Sequence, residues 1–185
     1  MSRRSVLAVS LAVCCVALIA FALSSEKASV AKTVLVNVSE GELPRDTGTD
    51  NTKPEIVDEF KELGGKALKV SFAKNDSFGA KLNGRNKDWT RHRLFRFDAF
   101  HPAKGVVVLE LNFIHVSSTD YHTRVVIPIR LRPGRNEVSI GIDEMKNENG
   151  SAADLANGVR WYIWDREGVG PTVYFSDIWL EGSAP

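Results

Sequence analysis

Cysteine is nearly absent: the 185 residues hold two, Cys14 and Cys15, side by side near the start. That count excludes a disulfide scaffold. A surplus of one charge is also lacking, since 24 Lys and Arg stand against 23 Asp and Glu. A nucleic-acid binder needs basic excess to meet phosphates, so that class loses its electrostatic basis. No HExxH pair, Walker loop or dinucleotide fingerprint occurs, and no serine-hydrolase elbow. Collagen and coiled-coil periodicities are missing as well. What is present is apolar and aromatic residues, 43% and 9%, too many for a disordered chain.

Long hydrophobic runs are confined to one place. Ser2-Arg3-Arg4 is a positive lead, and Val6 to Leu23 follows almost without a polar break. Ala22 and Ser24 are small residues spaced as before a signal-peptidase cut, so residues 1–24 read as a signal peptide cleaved after Ser24. The run is also just long enough to span a bilayer, so an uncleaved anchor over residues 5–23 is the rival. Either way an exported, periplasmic or extracellular protein is expected, touching membrane only through that anchor. Lipidation is disfavoured, because Val16 to Leu23 continues the apolar run beyond the cysteines. Cleavage would remove Arg3, Arg4 and both cysteines, turning the net charge from +1 to −1. The exported part must then hold itself by a core, a pattern that suits a bacterial protein.

Residues 25–54 read as a polar lead-in, with a short strand at Val34–Val38 and turn residues Gly41, Pro44, Gly48 and Pro54. From residue 55 to 182 the pattern is strands and turns. Leu68, Val70 and Phe72 alternate with polar neighbours, as do Phe95, Phe97 and Ala99, and Val107, Leu109, Leu111 and Phe113. Val125, Ile127, Ile129 and Leu131 form another inward set, with Pro128 marking a sheet edge or bulge. Pro133-Gly134-Arg135-Asn136 turns the chain into Val138, Ile140 and Ile142. Asn75–Gly79 reads as a turn, and Ala152–Ala156 has helical character. Trp161 runs in phase with Val159 and Ile163, so it belongs to the core, and Trp89 anchors the entry to the next strand. In the last strand Val173 and Phe175 have one parity, Ile178 and Leu180 the other. A one-residue bulge at Ser176-Asp177 reconciles them. About seven short strands with little helix predict an all-β fold, an antiparallel β-sandwich.

Several pieces together resemble the galactose-binding-like jelly rolls that include many carbohydrate-binding modules. They are Gly64–Val70, Asp88-Trp89 with Leu94–Phe100, Arg132–Val138 and the closing Val173–Leu180. The layout also resembles small exported bacterial proteins of unknown function. The resemblance implies a jelly-roll sandwich and a polysaccharide or glycan partner. It further implies a structural calcium near the chain ends, with Asp177 as its metal ligand and Asp58 or Glu59 as partners. Phe60-Lys61-Glu62 departs from the family pattern at that point.

Sugar rings stack their C–H faces on exposed aromatics flanked by polar groups. On strand parity Tyr162, Trp164, Tyr174 and Trp179 point outward, beside Arg96, Asp98, Glu110, Asn112, Arg124 and Arg130. These ten residues are the expected ligand face. If Arg124, Arg130 and Arg132 touch ligand they favour an acidic polysaccharide; otherwise they form a solvated edge. The expected role is non-catalytic carbohydrate binding, with an envelope or extracellular protein partner as the alternative. A less favoured third reading is a small carbohydrate-active enzyme using Glu110 and Asp98, which needs the two carboxyls across one cleft. His92, His101, His115 and His122 are scattered, though His115 and His122 could meet across a hairpin.

Overall fold

Alternating stretches become strands because each can bury one face and leave the other polar. The computed structural model describes residues 31–43 and 51–182, so the expected signal segment lies outside the described residues. Among the described residues there are ten strands. They are β1 (Lys32–Val36), β2 (Lys53–Phe60), β3 (Gly65–Ser71), β4 (Ser77–Lys81) and β5 (Leu94–His101). The rest are β6 (Val107–His115), β7 (Val125–Leu131), β8 (Gly134–Gly141), β9 (Gly158–Trp164) and β10 (Thr172–Glu181).

Every strand pair is antiparallel, and the strands form the two layers of a sandwich. The first sheet has the order β2-β3-β10-β5-β8. β10 pairs with β5 along one side; along the other it pairs with β3 through Thr172–Phe175 and with β1 through Ile178–Glu181. The second sheet has the order β4-β9-β6-β7. β7 is therefore an edge strand, where the missing N–H of Pro128 costs no ladder bond. Part of the lead-in is thus built into the sandwich: β1 sits beside β10, and β2 begins at Lys53, before the boundary expected at residue 55.

The bulge in β10 is present. Phe175 faces Ala99 and Ile178 faces Phe97, so two residues, Ser176 and Asp177, stand against Asp98 alone. The Asp98 N–H donates to Ser176 Oγ at 2.9 Å. Val173, Phe175, Ile178 and Leu180 are consequently all buried, although their spacing breaks alternation. The inner faces meet through aromatic rings. Phe175 of the first sheet lies 6.0 Å from Phe78 of the second, and Phe95 lies 5.7 Å from Trp161. Trp89 fills one end of the core, 4.6 Å from Phe113, with its Nε1 donating to Asn86 O at 3.0 Å.

Three local expectations are corrected. Ser77–Lys81 is strand β4, not the end of a turn, because it pairs along β9. Residues 152–156 form no helix; the buried Asn147 side chain donates to Ser151 Oγ and Ala152 O and organises that loop as a turn with a bridge. Val159 does not share the burial of Trp161 and Ile163. A register shift between β6 and β9 leaves it 42% exposed, while Gly158 packs inward against Leu82 and Phe113.

Candidate functional site

The outer face of the second sheet gathers the groups with the richest chemistry. Strand parity sends Arg160, Tyr162 and Trp164 outward from β9, and Glu110 and Asn112 outward from β6. Trp164 stands opposite Glu110, and Tyr162 stands between Asn112 and Gly79. A side chain at Gly79 could not be accommodated: its Cβ would fall 2.2 Å from Trp161 O and 2.4 Å from Tyr162 Cα. Glycine here lets β4 lie tightly under the base of Tyr162.

Two loop residues close over this floor. Tyr121, between β6 and β7, donates its hydroxyl to Glu110 Oε2 at 3.3 Å and meets the Trp164 ring edge-on, with centroids 6.4 Å apart. Arg166, just after β9, donates to Glu110 Oε1 at 3.2 Å and to the Tyr121 hydroxyl at 2.6 Å. Arg124 lies among three rings, its guanidinium carbon 4.6 Å from Tyr121, 5.7 Å from Tyr162 and 5.8 Å from Trp164. It also donates to the Tyr162 hydroxyl.

Burial pushes the Tyr162 hydroxyl pKa up, with Arg124 and Arg160 opposing it. The Tyr121 hydroxyl is also pushed up, first by burial and then by the Glu110 carboxylate. Both phenols therefore stay neutral at ordinary pH. Arg166 is held still more firmly protonated by its bond to Glu110. Three polar atoms here are buried without a partner: Asn112 Oδ1, Arg124 Nε and Arg160 Nε. Buried polar groups are normally satisfied, so one acceptor and two donors left over on one face make an incompletely paired polar cluster beneath the rings.

The ten expected site residues do not share one face. Tyr162, Trp164, Glu110, Asn112, Arg124 and Arg130 belong to the second sheet. Tyr174, Trp179, Arg96 and Asp98 lie on the outside of the first. Parity tells in from out within a strand, and only the sheet assignment tells which outside. Tyr174 is stacked on Phe60 at 4.2 Å, so that ring face is already covered. Trp179 lines a groove of about 450 Å³ with Lys66, Asp98 and Asp177. Its ring is covered by the Lys32 ammonium at 4.0 Å, and its Nε1 donates to Glu181.

A carboxylate pair of Glu110 and Asp98 is ruled out by the same separation. Asp98 is bound to Arg135 at 2.7 Å on one face, and Glu110 to Arg166 on the other. His115 and His122 do not meet either. His115 Nε2 is 2.9 Å from Asn147 Oδ1, and His122 Nδ1 is 2.6 Å from Glu148 Oε2. The residues at Asp177 do not fit calcium. Its carboxylate accepts from the Ser39 N–H at 2.9 Å and the Ser39 hydroxyl at 3.2 Å, with Lys32 Nζ 3.9 Å away. Those are partners for an anion, whereas calcium needs six to eight oxygens. Among the described residues no three His, Cys, Asp or Glu side chains cluster as a metal site.

Tyr121, Arg160 and Arg166 complete the site and were missed in the sequence. Tyr121 and Arg166 sit in connections where no periodicity says where a side chain points. Arg160 shares the parity of Tyr162 and Trp164, which was the available signal.

No protein-family model matches the chain, and no curated protein matches it in sequence. Solved structures do. The solution structure of CtCBM11 is similar at a TM-score of 0.61 and 14% identity, over 85% of this chain and 99% of that one. What these structures share with the chain is the fold, an antiparallel β-sandwich. A family 11 module from Clostridium thermocellum, solved with a beta-1,3-1,4-mixed-linked tetrasaccharide, gives 0.58 at 15% identity over 83% of this chain and 97% of its own. The family 30 module of the cellulosomal cellulase Cel9D-Cel44B from Clostridium thermocellum gives 0.57 at 12%, over 82% and 98%. At these identities the similarity carries the fold, and the site must be argued from the residues.

Proposed function

We propose that this chain is a non-catalytic carbohydrate-binding domain of an exported bacterial protein. Its sugar seat lies on the outside of the four-stranded sheet. Trp164 and Tyr121 offer ring surface, Arg124 and Arg166 lock those rings in place, and Glu110 anchors Tyr121 and Arg166 from below. The observation carrying this reading is the coincidence, on one face, of an arginine-braced aromatic group with three buried, unpartnered polar atoms. An enzyme would need a second carboxyl across a cleft, and the Glu110–Asp98 pair is split between opposite faces. Neighbours whose printed names are those of binding modules support the same reading.

Native affinity electrophoresis of the full chain tests it. The first neutral probe is mixed-linkage β-glucan, the linkage type in the family 11 complex; agarose, alginate and carrageenan extend the panel. Retardation by at least one gel, lost in Trp164→Ala and kept in Trp179→Ala, is expected. No retardation across the panel would overturn sugar binding and favour the alternative, an envelope protein partner.

A further inference from the structure

The two outer faces differ in how far their cations are neutralised. On the first sheet, Lys69 pairs with Glu55, Arg96 with Glu181, Arg135 with Asp98, and Lys32 approaches Asp177, while Lys53 and Lys66 have no ion-pair partner among the described residues. On the second, Arg166 alone has a carboxylate, Glu110. Lys81, Arg124, Arg130 and Arg160 have no ion-pair partner among the described residues. Lys81 and Arg160 are direct cross-strand neighbours, an arrangement that destabilises the free sheet. Because the whole chain is nearly neutral at +1, this excess is a local feature.

From this charge arrangement we infer that the second-sheet face selects an anionic glycan, one bearing carboxylate or sulfate groups. This inference rests on the carbohydrate-binding reading and names its ligand class. The Nε–H groups of Arg124 and Arg160 are buried without acceptors, and Asn112 Oδ1 is buried without a donor. Those three atoms lie beneath the surface, so a ligand meets the cations of this face through the charge that no carboxylate neutralises. An acidic sugar brings the charged group that answers them. Guanidinium groups bind planar oxyanions through paired N–H donors, roughly twice as strongly as neutral partners. Arg160 and Lys81 gain a counter-charge in the same step, which relieves their repulsion. Trp164 supplies backbone recognition that charge alone does not.

The test is affinity electrophoresis of the full chain at low and high salt. The gels contain alginate (carboxylate), carrageenan (sulfate), desulfated carrageenan, or neutral mixed-linkage β-glucan; dextran sulfate serves as an unrelated polyanion. Thermal melts check that each variant is folded. Stronger retardation by alginate or carrageenan than by the neutral gels is expected, the better of the two identifying the anionic group. Arg160→Gln and Arg124→Gln should each weaken it on the order of tenfold. Binding to neutral glucan alone, unchanged in Arg160→Gln, would overturn this inference and leave the carbohydrate-binding reading intact. Equal retardation by dextran sulfate, unaffected by Trp164→Ala and abolished by salt, would reduce the face to an ion exchanger and overturn it also. Absence of binding to every gel would overturn both.

Discussion

Asn112 and Tyr162 stand directly opposite each other on β6 and β9, both pointing away from the core and both buried. The Asn112 Nδ2 donates back to Glu110 O at 3.3 Å, and its Oδ1 has no partner. An outward residue becomes buried in this way only when the groups around it close over it. Here those groups include the Tyr162 ring and the guanidinium groups of Arg124 and Arg160 that pack against it.

Trp164→Ala is expected to weaken polysaccharide binding by about 2 kcal/mol, the scale of a central aromatic anchor. Trp179→Ala should leave binding unchanged, since Lys32 already covers that ring. Gel retardation of the two variants side by side checks this. Equal losses would move the seat away from the second sheet.

Gly79→Ala should lower folding stability by about 3 kcal/mol, because the added methyl meets backbone atoms that cannot step aside. Urea unfolding measures it. A neutral result would mean that β4 does not press against β9 as closely as described.

Asp177→Ala should cost about 1–2 kcal/mol, leaving the Ser39 donors and Lys32 without their acceptor at the β10 bulge. Thermal melting with and without a chelator adds a second arm. With this donor set a chelator should not move the wild-type Tm, and a clear drop would restore a structural calcium.

His122 should titrate above its ordinary value of 6.5, because Glu148 hydrogen-bonds and attracts its protonated ring. The pair's contribution is therefore complete below about 6.5 and fades as pH rises through the raised value. His92 should titrate below 6.5, since burial disfavours its charged form. Histidine NMR titration reads both. Glu148→Gln should return His122 towards 6.5 and leave His92 unmoved.

Much of the sandwich is legible without coordinates, because alternation is a local consequence of burying one face. Phe95, Phe97 and Ala99 are inside as their spacing requires, and Pro128 lies on an edge strand. Even the bulge at Ser176-Asp177 follows from a parity change that only one extra residue can absorb. Ser77–Lys81 was hidden by turn residues before it and by Gly79, whose small size serves β9 rather than a turn.

The site was half legible for the same reason. Outwardness of Tyr162, Trp164, Tyr174 and Trp179 is a property of each strand alone and needs no partner. Which two share a face depends on β9 and β10 belonging to different sheets, a long-range choice made by pairing and core packing. Tyr121 and Arg166 reach Glu110 from connections whose direction is set only once the strands are in place. The sequence by itself determined most of the strands with their inner faces, and an even overall charge. Tertiary structure decided that one face pairs most of its cations with carboxylates while the other gathers rings and unpaired arginines. Ion pairs and ring contacts form between residues far apart in the chain, and local spacing holds no record of them.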